Sequence, residues 1–175
     1  SALQKKLISV GNLMDENNLD ILFKTIKPDV VINCLALAKH DNNCLEKAIA
    51  MYAVFPKKLS QLCDKHKTRL IQISTDCVFS GNRGDYTEQD IPDASQPYGV
   101  AKFLGEIDKP NSITLRTSII GPELKSKDGL LEWFLAQENT CSGFTQVYYS
   151  GFPTVVLGQI IQDVILPNTA LHGIF

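Results

Sequence analysis

Three short, almost wholly apolar runs limit what this chain can fold into more than any other feature. They are Asp29-Val30-Val31-Ile32-Asn33-Cys34-Leu35, Leu70-Ile71-Gln72-Ile73 and Ser112-Ile113-Thr114-Leu115-Arg116. Each is short, rich in β-branched residues and apolar without alternation, the pattern of a strand covered on both faces. Stretches with helical spacing lie between them. Asn17 or Asn18 is placed to cap a helix carrying Leu19, Leu22, Phe23 and Ile26, which Pro28 stops. A second helix runs from about Asn42 to Lys67, with a kink or restart at Pro56. A third spans Tyr98 to Ile107, with Val100, Phe103, Leu104 and Ile107 as its apolar face. Leu130 to Gln137 and Val155 to Ile165 read as helices, and Leu7-Ile8-Ser9-Val10 as a short strand. Gly143 to Tyr149 reads as a strand on a smaller region, and Trp133 and Phe134 as core. Buried strands alternating with amphipathic helices predict an α/β fold, a doubly wound parallel sheet with helices on both faces. The 175 residues suit a single domain, 1–175, with no linker between independent units.

Charge and cysteine content exclude several classes. The net charge is −2 and no basic stripe occurs, so no nucleic-acid partner is expected. No apolar run reaches membrane-spanning length, so no membrane association is expected either. Ser1-Ala2-Leu3-Gln4 does not read as a signal peptide. The cysteines are Cys34, Cys44, Cys63, Cys77 and Cys141, an odd set without C-x-x-C or zinc spacing. Cys34, Cys63 and Cys77 stand in apolar contexts and read as reduced, buried thiols of a cytoplasmic protein. Asp85, Glu88 and Asp90 crowd one loop, Ser80 to Ala94, but no histidine is adjacent and the spacing fits no calcium loop, so no metal site is expected. His66 reads as an exposed helix end, while His40 follows a strand end, within reach of a ligand.

The residues that suggest chemistry are Thr75, Tyr98 and Lys102. Tyr98 and Lys102 are four apart on the predicted helix and share one face. An ammonium beside a phenol favours the phenolate. Ser74-Thr75-Asp76 follows the second buried strand, and ligands in open α/β sheets bind outside the carboxyl ends of strands. A hydroxyl there can hold a carbonyl oxygen. The three groups together make a proton donor for reducing a ketone, or an acceptor for oxidising an alcohol. No glycine-rich dinucleotide loop occurs in the chain.

Four segments in order carry a family resemblance. They are Ile73-Ser74-Thr75-Asp76-Cys77-Val78-Phe79-Ser80-Gly81, Tyr86-Thr87-Glu88-Gln89-Asp90-Ile91-Pro92, Tyr98-Gly99-Val100-Ala101-Lys102-Phe103-Leu104-Gly105-Glu106 and Leu115-Arg116-Thr117-Ser118-Ile119-Ile120-Gly121-Pro122. With them the chain resembles the extended short-chain dehydrogenase/reductases, and within them the dTDP-4-dehydrorhamnose reductase-like, sugar-nucleotide-binding group. The match runs from about Pro28 to Gly121. It implies a Rossmann-like domain that binds NADPH or NADH and reduces a nucleotide-linked 4-keto sugar.

The resemblance also implies roles. Tyr98 would give the proton to the sugar 4-keto oxygen. Lys102 would bind the nicotinamide ribose and lower the Tyr98 pKa. Thr75 would hold the substrate oxygen, with Asp76 beside it. Cys34, Leu35, Ala36, Ser74, Arg116, Thr117 and Ser118 would line the cofactor. Residues from about 122 to 175 would contribute to a small substrate-binding lobe, where Phe144, Tyr148 and Tyr149 either stack on a base or pack among themselves. The family's glycine loop would precede Ser1, so the fragment alone is expected to be inactive, and a homodimer is compatible with the reading. Leu37 and Ala38 stand where relatives usually carry Tyr and Thr, and Tyr52 where an Asn is usual. Two alternatives stay open: an epimerase or dehydratase of the same superfamily, disfavoured by Cys77 after Asp76, and a non-catalytic regulatory protein resembling the β subunit of methionine adenosyltransferase.

Overall fold

A computed structural model describes residues 11–37, 44–123 and 129–175. The expected strand at 7–10, the helix start at 42–43, Ala38 and His40 lie outside the described residues. The strands are β1 (Val30–Asn33), β2 (Arg69–Ile73), β3 (Ser112–Leu115), β4 (Ile119–Ile120), β5 (Phe152–Pro153) and β6 (Gly173–Ile174). Four of them form one parallel sheet in the order β1-β2-β3-β6, with Val31 opposite Leu70 and Ile71 opposite Ile113. β4 and β5 pair in a separate two-stranded sheet. The three apolar runs are thus neighbouring parallel strands.

Helices cover both faces. On one side α1 (Glu16–Ile26) and α3 (Phe55–His66) bring Leu19, Phe23, Phe55, Leu59 and Cys63 onto Leu70. On the other, α6 (Thr154–Ile160) runs on into a wide turn, Ile161–Ile165, whose Ile161 and Ile165 pack on Ile71, Ile113 and Leu115. Leu70 and Ile71 belong to different clusters because successive strand residues point to opposite faces. Arg69 ties the last segment down, donating to the carbonyls of Ile165 at 2.6 Å and Leu171 at 2.7 Å. Residues 154–175 therefore lie against the main sheet, while β4 and β5 stand apart from it. Among the described residues no helix is long and apolar enough to cross a membrane.

Several local expectations are corrected. The cap of α1 is Asp15, not Asn17 or Asn18: its carboxylate accepts from the backbone N–H of Asn17 at 3.0 Å. Lys27 closes the helix in the left-handed conformation, just before Pro28. Ile32 is exposed; β1 is the outermost strand of the sheet among the described residues. Around Pro56 the chain does not break. α2 (Leu45–Ala48) passes into a π turn, Ile49–Val54, and then into α3, so the wide turn absorbs the donor that proline lacks. The segment 143–149 forms no strand; the small sheet uses Phe152–Pro153, and Phe144 and Tyr148 are exposed. Trp133 and Phe134 are exposed as well, because α5 (Leu130–Leu135) buries none of its residues. His66 is tied rather than free, its Nε2 lying 2.7 Å from Asp20 Oδ1 with its ring against Phe23.

The buried face of α4 (Pro97–Leu104) is also not the predicted one. Gly99, Ala101 and Lys102 are buried, whereas Phe103 and Leu104 are exposed; of the expected face Ile107, just beyond the helix, is buried and Val100 half-buried. Small residues let the helix approach backbone. A Cβ at Gly99 would lie 2.2 Å from the Cys77 carbonyl oxygen, and one at Gly105 only 1.7 Å from that of Tyr52. Gly105→Ala should therefore force the π turn and α4 apart and lower stability by about 1–3 kcal/mol. Urea unfolding of the two proteins measures this, and equal midpoints would contradict the close approach.

Candidate active site

The carboxyl ends of β1, β2 and β3 meet the first turn of α4. β2 ends at Ile73 and leads into the buried pair Ser74 and Thr75. Thr75 caps a 3₁₀ turn, Asp76–Val78, its Oγ1 accepting from the Cys77 N–H at 3.2 Å. It also donates to Asp76 Oδ1 at 3.2 Å. A Cβ-free Gly99 lets α4 sit on this turn, which brings the Tyr98 phenol within the influence of the Thr75 side chain. One turn on, Lys102 reaches back under the strand and donates to the Ile73 carbonyl at 2.9 Å. Thr75, Tyr98 and Lys102 thus converge on one rim of the sheet.

The electrostatics differ from the expected pattern. Burial pushes the Tyr98 phenol up to about 12, against the lowering effect of its hydrogen bond with Thr75. Burial likewise brings the Lys102 ammonium down to about 8, while Cys34 and Glu106 favour its charged form. The expectation that Lys102 lowers the Tyr98 pKa is corrected here. The ammonium is directed at the Ile73 carbonyl and the face of Tyr52, and desolvation of the phenol dominates.

A second buried network frames the site. Arg116 Nε and Nη2 donate to Glu106 Oε1 and Oε2 at 2.9 and 2.8 Å, and Ser74 Oγ donates to the same carboxylate at 2.9 Å. The Phe79 ring faces the guanidinium, centroid to Cζ 5.1 Å. The side chains of Ser74 and Arg116 are therefore engaged in holding β2, β3 and the end of α4 together. Asp76 Oδ1 accepts from Ser118 Oγ at 2.6 Å, which links the 3₁₀ turn to the chain after β3, and Thr117 Oγ1 donates to the Ser118 carbonyl. The Asp76 charge also acts on Tyr149, which brings one aromatic of the 143–149 segment to this rim.

Beyond β1, Cys34 and Ala36 are exposed and Leu35 is half buried. Cys77 is exposed too, so only Cys63 of the three expected buried thiols is buried. Cys34 and Cys77 each lie just past the carboxyl end of a strand, on the open rim rather than between sheet and helix. All five cysteines are free. The acidic loop is used internally: Asp90 pairs with Arg83 at 2.8 Å, Asp93 accepts from Ser80, and Phe79 stacks on Tyr86 at 4.5 Å. Among the described residues no group of three or more His, Cys, Asp or Glu is placed to hold a metal ion.

Two site residues were not legible as such. Glu106 lies two residues past the end of α4, and its place four after Lys102 is its signal in the sequence. Tyr52 stood out solely as a departure from its relatives. It lies in the π turn, meets Tyr98 edge to face at 5.3 Å and accepts from the Leu37 N–H at 2.7 Å.

Comparison with known proteins agrees with this fold. The model of the RmlD substrate binding domain matches residues 2–145. A dTDP-4-dehydrorhamnose reductase of Aggregatibacter actinomycetemcomitans is 32% identical over 178 residues, covering 93% of this chain and 60% of that protein. The methionine adenosyltransferase 2 subunit beta of Xenopus laevis is 33% identical over 97 residues, 54% of this chain and 29% of its own length. The crystal structure of the dTDP-4-dehydrorhamnose reductase of Bacillus anthracis in complex with NADP superposes with a TM-score of 0.81 at 21% identity, covering 95% of this chain and 62% of that one. The chain spans less than two thirds of the length of each of these proteins. The parallel sheet and the family match together show that this chain belongs to the RmlD substrate binding domain family, the dTDP-4-dehydrorhamnose reductase-like branch of the extended short-chain dehydrogenase/reductases.

Proposed function

We propose that the complete protein reduces the keto group of a nucleotide-linked 4-keto sugar with NADPH or NADH, and that this chain supplies the proton-transfer site. The observation that carries the reading is the convergence of Thr75, Tyr98 and Lys102 at the strand ends. The residues present suit a nicotinamide nucleotide. Lys102 gives one N–H to Ile73 and, as an ammonium, has two more for ribose hydroxyls. Cys34, Leu35 and Ala36 present an open surface at the same rim. When bound, the nicotinamide supplies the hydride. The chain's own part is to hold the keto oxygen between Thr75 and Tyr98 and to give it the Tyr98 proton as negative charge develops there. Asp76, Ser118 and the exposed aromatics after α5 offer the sugar and base their polar and stacking contacts.

A phenol held up to about 12 is protonated throughout the neutral range and is ready to donate. Lys102 is charged below about 8 and loses its proton as pH rises through that value. The rate of reduction should therefore be flat near neutrality and fall above about pH 8. A pH–rate profile of the full-length protein measures it; a rate still climbing well above pH 8 would count against a charged Lys102.

The similarity to the methionine adenosyltransferase subunit favours one second reading, a binding protein that holds the nucleotide without turnover. One assay separates the two. Full-length protein is mixed with NADPH or NADH and a nucleotide-linked 4-keto sugar, and nicotinamide absorbance is followed. Consumption that disappears in Tyr98→Phe supports the reductase. Tight nicotinamide binding with no consumption across a panel of sugars supports the binding protein.

A further inference from the structure

Tyr52 is a buried phenol to which the proposed reaction assigns no role. It is 2% exposed and sits in the π turn Ile49–Val54. An extra residue in a helical turn re-aims the side chains around it, and such turns recur at functional sites. Contacts leave Tyr52 in different directions. Its ring meets that of Tyr98 edge to face, centroids 5.3 Å apart and planes at 88°. Its face carries the Lys102 ammonium, Nζ 4.9 Å from the centroid. Its hydroxyl accepts from the backbone N–H of Leu37 at 2.7 Å. Backbone contact fixes its place, because Gly105 of the α4 terminus lies directly against the Tyr52 carbonyl.

We infer that Tyr52 is a positioning residue of this site, holding the Tyr98 ring and the Lys102 ammonium in register and tying both to the segment after β1. The inference rests on the reading of Tyr98 and Lys102 as the proton-transfer pair. The physical basis is the ring quadrupole: a desolvated cation over an aromatic face is stabilised, so Tyr52 favours the charged form of Lys102 against the burial that disfavours it. The other groups acting on Lys102 are the Cys34 thiol, the Glu106 carboxylate and the Ile73 carbonyl. None of them touches Tyr98 and the Leu37 segment together with Lys102, as Tyr52 does. A change along residues 34–37 would therefore be felt by the proton donor through Tyr52.

The test titrates Lys102 directly, without substrate. Full-length protein is labelled with lysine carrying carbon-13 at Cε, and the Lys102 resonance is assigned by its loss in Lys102→Met. Tyr52→Phe keeps the ring and should leave the Lys102 titration near that of the wild type. Tyr52→Leu removes the ring and should lower the Lys102 pKa by about one pH unit. Pentafluorophenylalanine at position 52 keeps the shape of Phe but reverses the ring's charge distribution, so it should lower the pKa in the same direction even if Tyr52→Leu does not fold. An unchanged Lys102 titration in the fluorinated protein would overturn the inference. In parallel, Tyr52→Phe loses the Leu37 tie and should weaken NADPH binding by roughly 2–10-fold; an affinity equal to that of the wild type would overturn the tie. If the wild-type protein bound no nicotinamide nucleotide, the proposed function would fail, and the lysine titration would still decide the role of Tyr52.

Discussion

Tyr98→Phe in the full-length protein should lower the rate of keto-sugar reduction by about 10²–10⁴-fold, the usual contribution of a placed general acid. The substitution deletes one oxygen and little else. The ring keeps its edge-to-face contact with Tyr52, and Thr75 keeps its hydrogen bonds to Cys77 and Asp76. Folding and nicotinamide affinity should therefore stay near those of the wild type, and the loss should fall on kcat. Lys102→Ala should behave differently and weaken both cofactor binding and rate, since its ammonium is placed for both. Steady-state kinetics with an equilibrium binding measurement separates the two patterns. A Tyr98→Phe protein that turned over at the wild-type rate would remove Tyr98 from the chemistry.

The largest effect on stability should come from Glu106→Ala. Its carboxylate takes both donors of the Arg116 fork and the Ser74 hydroxyl, and the Glu106 and Arg116 side chains are 3% and 7% exposed. Arg116 Nη1 has no hydrogen-bond partner among the described residues, so the guanidinium depends on Glu106 for its compensation. Removing Glu106 leaves a buried cation unpaired, which costs about 3–5 kcal/mol. Replacing both residues, as Glu106→Leu with Arg116→Met, should recover much of that loss, because a well-packed apolar pair does not strand a charge. Urea unfolding of the single and double variants measures the difference. A single variant within about 1 kcal/mol of the wild type would mean that water reaches Arg116 and the network is not sealed.

The proposed reaction and the stability of the strand ends thus draw on adjacent but separate sets of residues. Thr75, Tyr98 and Lys102 face the open rim, while Ser74, Glu106 and Arg116 lock the strand ends behind it. The two sets interleave along the chain: Ser74 precedes Thr75, and Glu106 follows Lys102 by one helical turn.

The sequence determined the layered architecture and the identity of the rim. Continuous apolar β-branched runs can be buried only between two covering layers, so 70–73 and 112–115 had to be inner strands, and the Tyr98–Lys102 spacing had to share a helical face. Tertiary structure decided what local pattern does not encode. The buried face of α4 is set by backbone of the π turn arriving at Gly105, not by its large apolar residues. Cys34 and Cys77 lie open because strand ends, unlike strand centres, have no helix above them. Tyr52 lies 46 residues before Tyr98 in sequence, and only the close approach of two helices brings its ring against the phenol and the ammonium. The direction of the Tyr98 pKa was likewise beyond the motif, since spacing names the neighbours of a charge but burial determines how much solvent it loses.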